Sequence, residues 1–237
     1  MREIQKVTFN NGMNCYAFSS FDEIVDYISE KKRLLVAVNA EKILHFSNQM
    51  KRIISCNVGY SDGIGAVMAL KKHGCTDAVK IPGCELWLKI VEHNYQNGKT
   101  FYLVGSKQEV IEDTVNKLRK EYNGIDLVGY RNGYLKNDEE KQQLLDDIAL
   151  KKPDVVFVAM GSPKQELLME EMLERHPAIY QGLGGSFDVY TGHVERAPGW
   201  WIKHNLEFAY RLLKQPSRIW RQLHLFKFLF LVEIGRI

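Results

Sequence analysis

Short apolar runs alternate with helix-length segments along most of this chain, and no other feature restricts the fold so tightly. The runs are Leu34–Asn39, Ala78–Ile81, Thr100–Gly105, Ile125–Tyr130, Val155–Met160 and Ala178–Leu183. Several are continuously apolar, as strands covered on both faces are. Between them lie helix-type segments at Glu41–Gln49, Gly63–His73, Glu85–Gln96, Gln108–Tyr122, Glu139–Ala149 and Lys164–Arg175. This rhythm predicts an α/β fold, a Rossmann-like and mostly parallel sheet with helices on both faces. The start of the chain, Val7 to Phe18, reads as a small hairpin turning at Asn11-Gly12.

A chain of 237 residues with 45% hydrophobic and 26% charged residues buries a core without disulfides. Its four cysteines, Cys15, Cys56, Cys75 and Cys84, lack the close pairing of a metal knuckle or redox motif. They read as reduced thiols of a cytosolic protein. The opening MREIQKVTFNNG has no apolar signal-peptide core. The most apolar stretch, Leu223 to Ile234, is broken by His224, Lys227 and Glu233. It falls short of the roughly 20 residues that a membrane span needs.

Charge is uneven. From Lys203 to Ile237 there are seven Lys/Arg and two Asp/Glu, a balance of +5 against +3 for the whole chain. Residues 1–202 therefore sum to −2. The basic end is also rich in Trp, Phe and Leu, and Ile219, Leu223, Phe226 and Phe230 share one helical face. Basic charge beside an apolar face suits an anionic membrane surface. A solvated helical pair packed on the sheet explains the same residues. So does nucleic-acid binding, less well, because the apolar face is continuous and the body is acidic. The composition shifts near Ala197-Pro198, which divides the chain into a core over 1–197 and a helical basic appendage over 198–237.

Ligands of open parallel sheets bind beyond the carboxyl ends of the strands. Asn39 and Asp62 stand at such ends, each before a helix, where an N-cap role competes with a catalytic one. Gly105 closes another strand, and a helix N-terminus after it would offer N–H groups to a phosphate. In Gly161-Ser162-Pro163-Lys164-Gln165, Ser162 reads as an N-cap with Pro163 in the first turn. Capping leaves Gly161, Lys164 and Gln165 unexplained. Gly184 and Gly185 follow the last strand without a helix directly after them, and suggest backbone close to a diphosphate. The chain has no P-loop, no nucleophile elbow and no H-E-x-x-H. It also lacks Asp-x-Asp, with which many nucleotide-sugar transferases hold a metal, so no metal and no cofactor are expected.

Five stretches, in order from about Asn39 to Phe228, resemble the WecG/TagA/CpsF glycosyltransferases. They are Val38-Asn39-Ala40-Glu41-Lys42, Ser61-Asp62-Gly63-Ile64, the run from Val158 to Glu166, the run from Phe187 to Pro198, and the run from Glu207 to Arg218. The long M-G-S-P-K-Q-E and T-G-H-V-x-R-A-P stretches look closest to the WecG branch. The resemblance implies an inverting, metal-independent enzyme peripheral to the cytoplasmic membrane face. In that branch N-acetylmannosaminuronic acid moves from UDP to N-acetylglucosaminyl-diphospho-undecaprenol, for enterobacterial common antigen. TagA-like members move N-acetylmannosamine to the same acceptor.

The position matching Asp62 is the family's proposed base, and those matching Asn39 and Gln165 line the same pocket. Backbone and side-chain donors at Gly161, Ser162, Lys164, Gly184 and Gly185 would then steady the leaving UDP. Gln165 would orient a sugar. Arg196 would meet a phosphate or the uronate carboxylate. Arg211, Arg218 and Arg221 would meet the lipid-linked diphosphate or anionic headgroups. The partners expected are a UDP-sugar, that acceptor and a membrane, not nucleic acid. A module that binds UDP-sugars without transferring them is the competing reading. Trp87 and Leu88 belong to the core or to a subunit interface of a homo-oligomer.

Overall fold

The computed structural model of the chain describes residues 3–29, 31–204, 207–214 and 227–236. Eight strands form one sheet in the order β1-β2-β4-β3-β8-β7-β5-β6. They are β1 (Lys6–Thr8), β2 (Asn14–Tyr16), β3 (Leu34–Val38), β4 (Val58–Ser61), β5 (Thr100–Gly105), β6 (Asp126–Arg131), β7 (Val155–Ala159) and β8 (Ile179–Gly182). Among the described residues only the β1/β2 pair is antiparallel. That pair is the expected hairpin, with Gly12 at φ +81° in its turn.

Helices α1 (Phe21–Ser29), α5 (Gly83–Gln96), α6 (Gln108–Glu121) and α9 (Ser186–Tyr190) share one apolar layer. On the other face lie α2 (Ala40–His45), α3 (Asn48–Cys56), α4 (Ile64–Lys72), α7 (Asp138–Lys151) and α8 (Lys164–Arg175). The central strands β7 and β8 are buried throughout, β7 as an unbroken apolar run and β8 with one buried polar residue, Gln181. Trp87 is fully buried and meets Phe157, Phe187 and Tyr190 edge to face. It belongs to the core.

Two expectations are corrected, and two elements are additions to the sequence reading. The stretch Ala78–Ile81 is not a strand. It is extended, but its N–H groups go to two different segments, Val79 to Phe18 O and Ile81 to Ser61 O, so no ladder forms. Strand β4, by contrast, is absent from the strand-type runs of the sequence. It is short and contains Gly59, where a Cβ would stand 2.6 Å from Asn14 O. The segment Glu41–Gln49 is two helices, because Ser47 caps α3 through a bond from Met50 N at 3.3 Å. Helix α1 went unread, although Ser20-Phe21-Asp22-Glu23 carries a capping box. Ser20 Oγ accepts from Glu23 N at 3.0 Å, and Glu23 reaches back to Ser19 N.

Beyond Pro198 the described residues form α10 (Gly199–Lys203), α11 (Glu207–Lys214) and a helical segment over 227–233. That segment is part of the main core. Phe228 is fully buried, its ring 3.1 Å from where a Cβ on Gly65 would be, and Val232 is buried one turn on. Phe230, between them, is 65% exposed. Among the described residues no helix is long and apolar enough to cross a membrane. Phe228→Ala should therefore cost about 3–5 kcal/mol in urea unfolding. Phe230→Ala should stay within about 0.5 kcal/mol.

Candidate active site

The sheet parts at its centre. The β3/β4 ladder runs to Val38↔Ser61 and the β7/β8 ladder to Val158↔Gly182. The β3/β8 ladder stops at Leu35↔Gln181, well before β3 ends. Loops after β5 and β7 also diverge, to α6 on one face and α8 on the other. Such a switch point is where α/β sheets hold ligands.

Polar side chains span the gap, and α8 supplies the central two. Gln165 is 4% exposed, and its Oε1 accepts from Gly161 N at 3.1 Å and Gly184 N at 2.9 Å. One amide oxygen thus ties together the turns after β7 and β8. The expectation that these two N–H groups stand open for a diphosphate is corrected, because Gln165 occupies both. Gln165 Nε2 donates to Glu166 Oε1 at 3.2 Å, and Lys42 Nζ from α2 donates to the same oxygen at 2.7 Å. Glu166 is wholly buried and Lys42 nearly so. Glu166 Oε2 has no hydrogen-bond partner among the described residues. An ion pair so deep is sustained by its internal bonds, and losing one member strands the other.

Asn39 fills its simplest role. It caps α2, Oδ1 accepting from Lys42 N at 2.9 Å. Asp62 does not cap the helix that follows it. Gly63, at φ +144°, holds that position, and α4 has no side-chain cap. Asp62 instead serves the start of α5, its Oδ1 accepting from Gly83 N at 3.1 Å. The N-terminus of this 14-residue helix suits a carboxylate. Asp62 N donates to Val38 O at 2.9 Å, which sets Asp62 beside Asn39 at one level of the sheet edge.

Ser162 is not the cap of α8 either. The peptide before Pro163 is cis, Pro163 holds the cap position, and no side chain bonds the first turn. Ser162, Lys164 and Gly185 are exposed on the rim. A helix does follow Gly184-Gly185, the five-residue α9. Gly105, at φ +135°, presses on β7, and a Cβ there would lie 2.3 Å from Ala159 O. Only glycine fits both demands.

Arg196 pairs with Glu85 near the start of α5, which brings it to the Asp62 side. Burial works against its charge, but the Glu85 bond and nearby Cys84, Glu85 and Glu207 outweigh that and hold its pKa above the ordinary value. Cys84 lies between these groups. Burial chiefly pushes its thiol up to about 11, with Arg196 opposing and Asp62 adding. Arg211 lies on α11, while Arg218 and Arg221 fall outside the described residues.

Ser106 and Asp188 escaped the sequence reading. Ser106 adopts φ +49° and donates to Asp188 Oδ2 at 2.6 Å, which joins the turn after β5 to α9. A Ser after a strand-closing Gly, and the Asp in Phe187-Asp188-Val189-Tyr190, were the available signals. Among the described residues no group of three or more His, Cys, Asp or Glu is placed to hold a metal.

A parted parallel sheet rimmed by glycine turns, carboxylates and buried amides defines the ligand-binding edge of an open α/β protein. The chain matches the glycosyl transferase WecG/TagA/CpsF family over residues 9–236 and belongs to it.

The buried pair gives a test of the site's framework. Glu166→Ala should cost about 3–5 kcal/mol in chemical unfolding, because Lys42 is left charged and buried. Adding Lys42→Met to that variant should recover a clear part of the loss, a coupling read from the double-mutant cycle.

Proposed function

We propose that this glycosyltransferase moves N-acetyl-D-mannosaminuronic acid from UDP to N-acetylglucosaminyl-diphospho-undecaprenol, with inversion and without a metal. The observation that carries the reading is the place of Asp62. Its carboxylate sits at the carboxyl edge of the sheet, next to Asn39, and only β3 separates its strand from β8, whose following turn Gln165 holds. The acceptor hydroxyl attacks the anomeric carbon as the bond to UDP breaks, and Asp62 takes the hydroxyl proton. Asn39 and Gln165 shape the sugar pocket. Lys164 and Ser162, exposed at the rim, and the turns at Gly105 and Gly185 face the leaving diphosphate.

Arg196 is the cation for the donor's carboxylate. Its side chain is partly exposed beside Glu85, so a bound carboxylate can reach it. A transferase using UDP-N-acetylmannosamine, as in teichoic acid synthesis, is the second reading, since Glu85 already engages the same guanidinium.

The acceptor's polyprenyl chain stays in a bilayer, so the enzyme works at the cytoplasmic membrane face. Support comes from the basic C-terminal part, where Trp200, Leu213, Phe230 and Ile234 are exposed. Arg211, Arg218 and Arg221 add charge there for headgroups or the acceptor diphosphate. The docking part then lies after Ala197-Pro198, and its last helical segment also packs into the core.

Asp62→Asn should fold normally and bind UDP, while transfer to the lipid-linked acceptor falls about 10²- to 10⁴-fold. Full activity in that variant would remove the base assignment. Donor choice is read by comparing turnover of the two UDP-sugars, with Arg196→Gln losing the uronate preference. Membrane docking is read by flotation with anionic vesicles. Phe230→Ser combined with Trp200→Ser should float less.

A further inference from the structure

Gln181 is the one polar side chain in the buried run of β8, and it is wholly inaccessible. A primary amide in such a place is costly unless its hydrogen bonds are made. Gln181 makes only part of them. Its Nε2 contacts Tyr60 Oη at 3.3 Å and Gly83 O at 3.4 Å, while its Oε1 is buried without a partner among the described residues. An apolar residue of the same size would fill the space at lower cost. Stability alone therefore does not account for an amide here.

Its partners suggest what does. Gly83 is the first residue of α5, and its N–H donates to Asp62 Oδ1. Its carbonyl oxygen receives Gln181. The residue is thus held from two sides, by the candidate base and by an amide in the middle of the sheet. Tyr60 closes the third side, since a Cβ on Gly83 would stand 2.8 Å from Tyr60 Oη. Burial, reinforced by the charge of Asp62, pushes the Tyr60 phenol up, so it stays neutral. Tyr60 lies on β4 and Gln181 on β8, with β3 between them, and Ala37 is the residue opposite Tyr60. A small side chain at that level leaves room for the two to meet.

We infer that Gln181 is a positioning residue for transfer: through Gly83 it fixes the start of α5, and so aims the Asp62 carboxylate at the acceptor hydroxyl. This rests on Asp62 being the base. Gln181 touches neither substrate, so its effect falls on the chemical step and not on donor binding.

Gln181→Met keeps the volume and removes the amide. The expected result is an unfolding midpoint equal to or above that of the parent chain, with kcat lowered about 10- to 100-fold and the donor KM within about twofold. Tyr60→Phe, which removes a contact of Gln181 but not the Gln181–Gly83 one, should lower kcat less. Unchanged kcat in a folded Gln181→Met enzyme would overturn the inference. So would a loss confined to KM. Should Gln181→Met fail to fold, the amide is structural and the inference falls as well. Asp62→Asn measured alongside separates the two ideas. If that variant is inactive while Gln181→Met matches the parent, only the positioning role fails. If Asp62→Asn is fully active, the base assignment fails first.

Discussion

Everything at the carboxyl edge of the sheet depends on one buried charge pair. Lys42 belongs to the helix after β3, and Glu166 to the helix after β7. Those strands are separated by β8, and the β3/β8 ladder gives out before the edge is reached. Backbone pairing cannot hold the two sides there, so the ion pair does. Through Gln165 the same carboxylate fixes the turns after β7 and β8. The opening between the strands therefore has walls set by side-chain chemistry. Such a frame is intolerant of single changes, because each group is the desolvated partner of another.

The sheet was legible because long apolar runs have only a few ways to be buried. Strands β3, β5, β6, β7 and β8 and helix α8 follow directly from that pattern. Pattern failed where tertiary contact outweighed local preference. Gly59 is a poor strand residue by propensity, yet it is required where β4 lies close to Asn14. Ala78–Ile81 has strand composition but no continuous partner. Helix α1 is short, and its capping box was the better signal than its apolar spacing.

The site divides along similar lines. Asn39 and Asp62 were visible as polar residues at strand ends, and the capping alternative holds for Asn39 but not for Asp62. Asn39 caps its own helix. Asp62 serves a helix that begins 21 positions later, at Gly83. No window of sequence contains that second fact, because it depends on where the chain returns. Lys42, Glu166, Ser106 and Gln181 were hidden for the same reason. Each takes its meaning from a partner on another element, and each reads locally as an ordinary helix, loop or strand residue.

The buried ring of Phe228 changes how the end of the chain can be dissected. It packs on Gly65 and shares a core with Ala40, and these two stand just beyond Asp62 and Asn39. The helical segment that shows Phe230 to the outside thus also forms the back wall of the helices behind the candidate base. Cutting the tail away strips an exposed apolar surface and unroofs the interior in one stroke. A truncated enzyme would be crippled for either reason, and its silence would say nothing about lipid. The two faces of this segment have to be altered one side chain at a time.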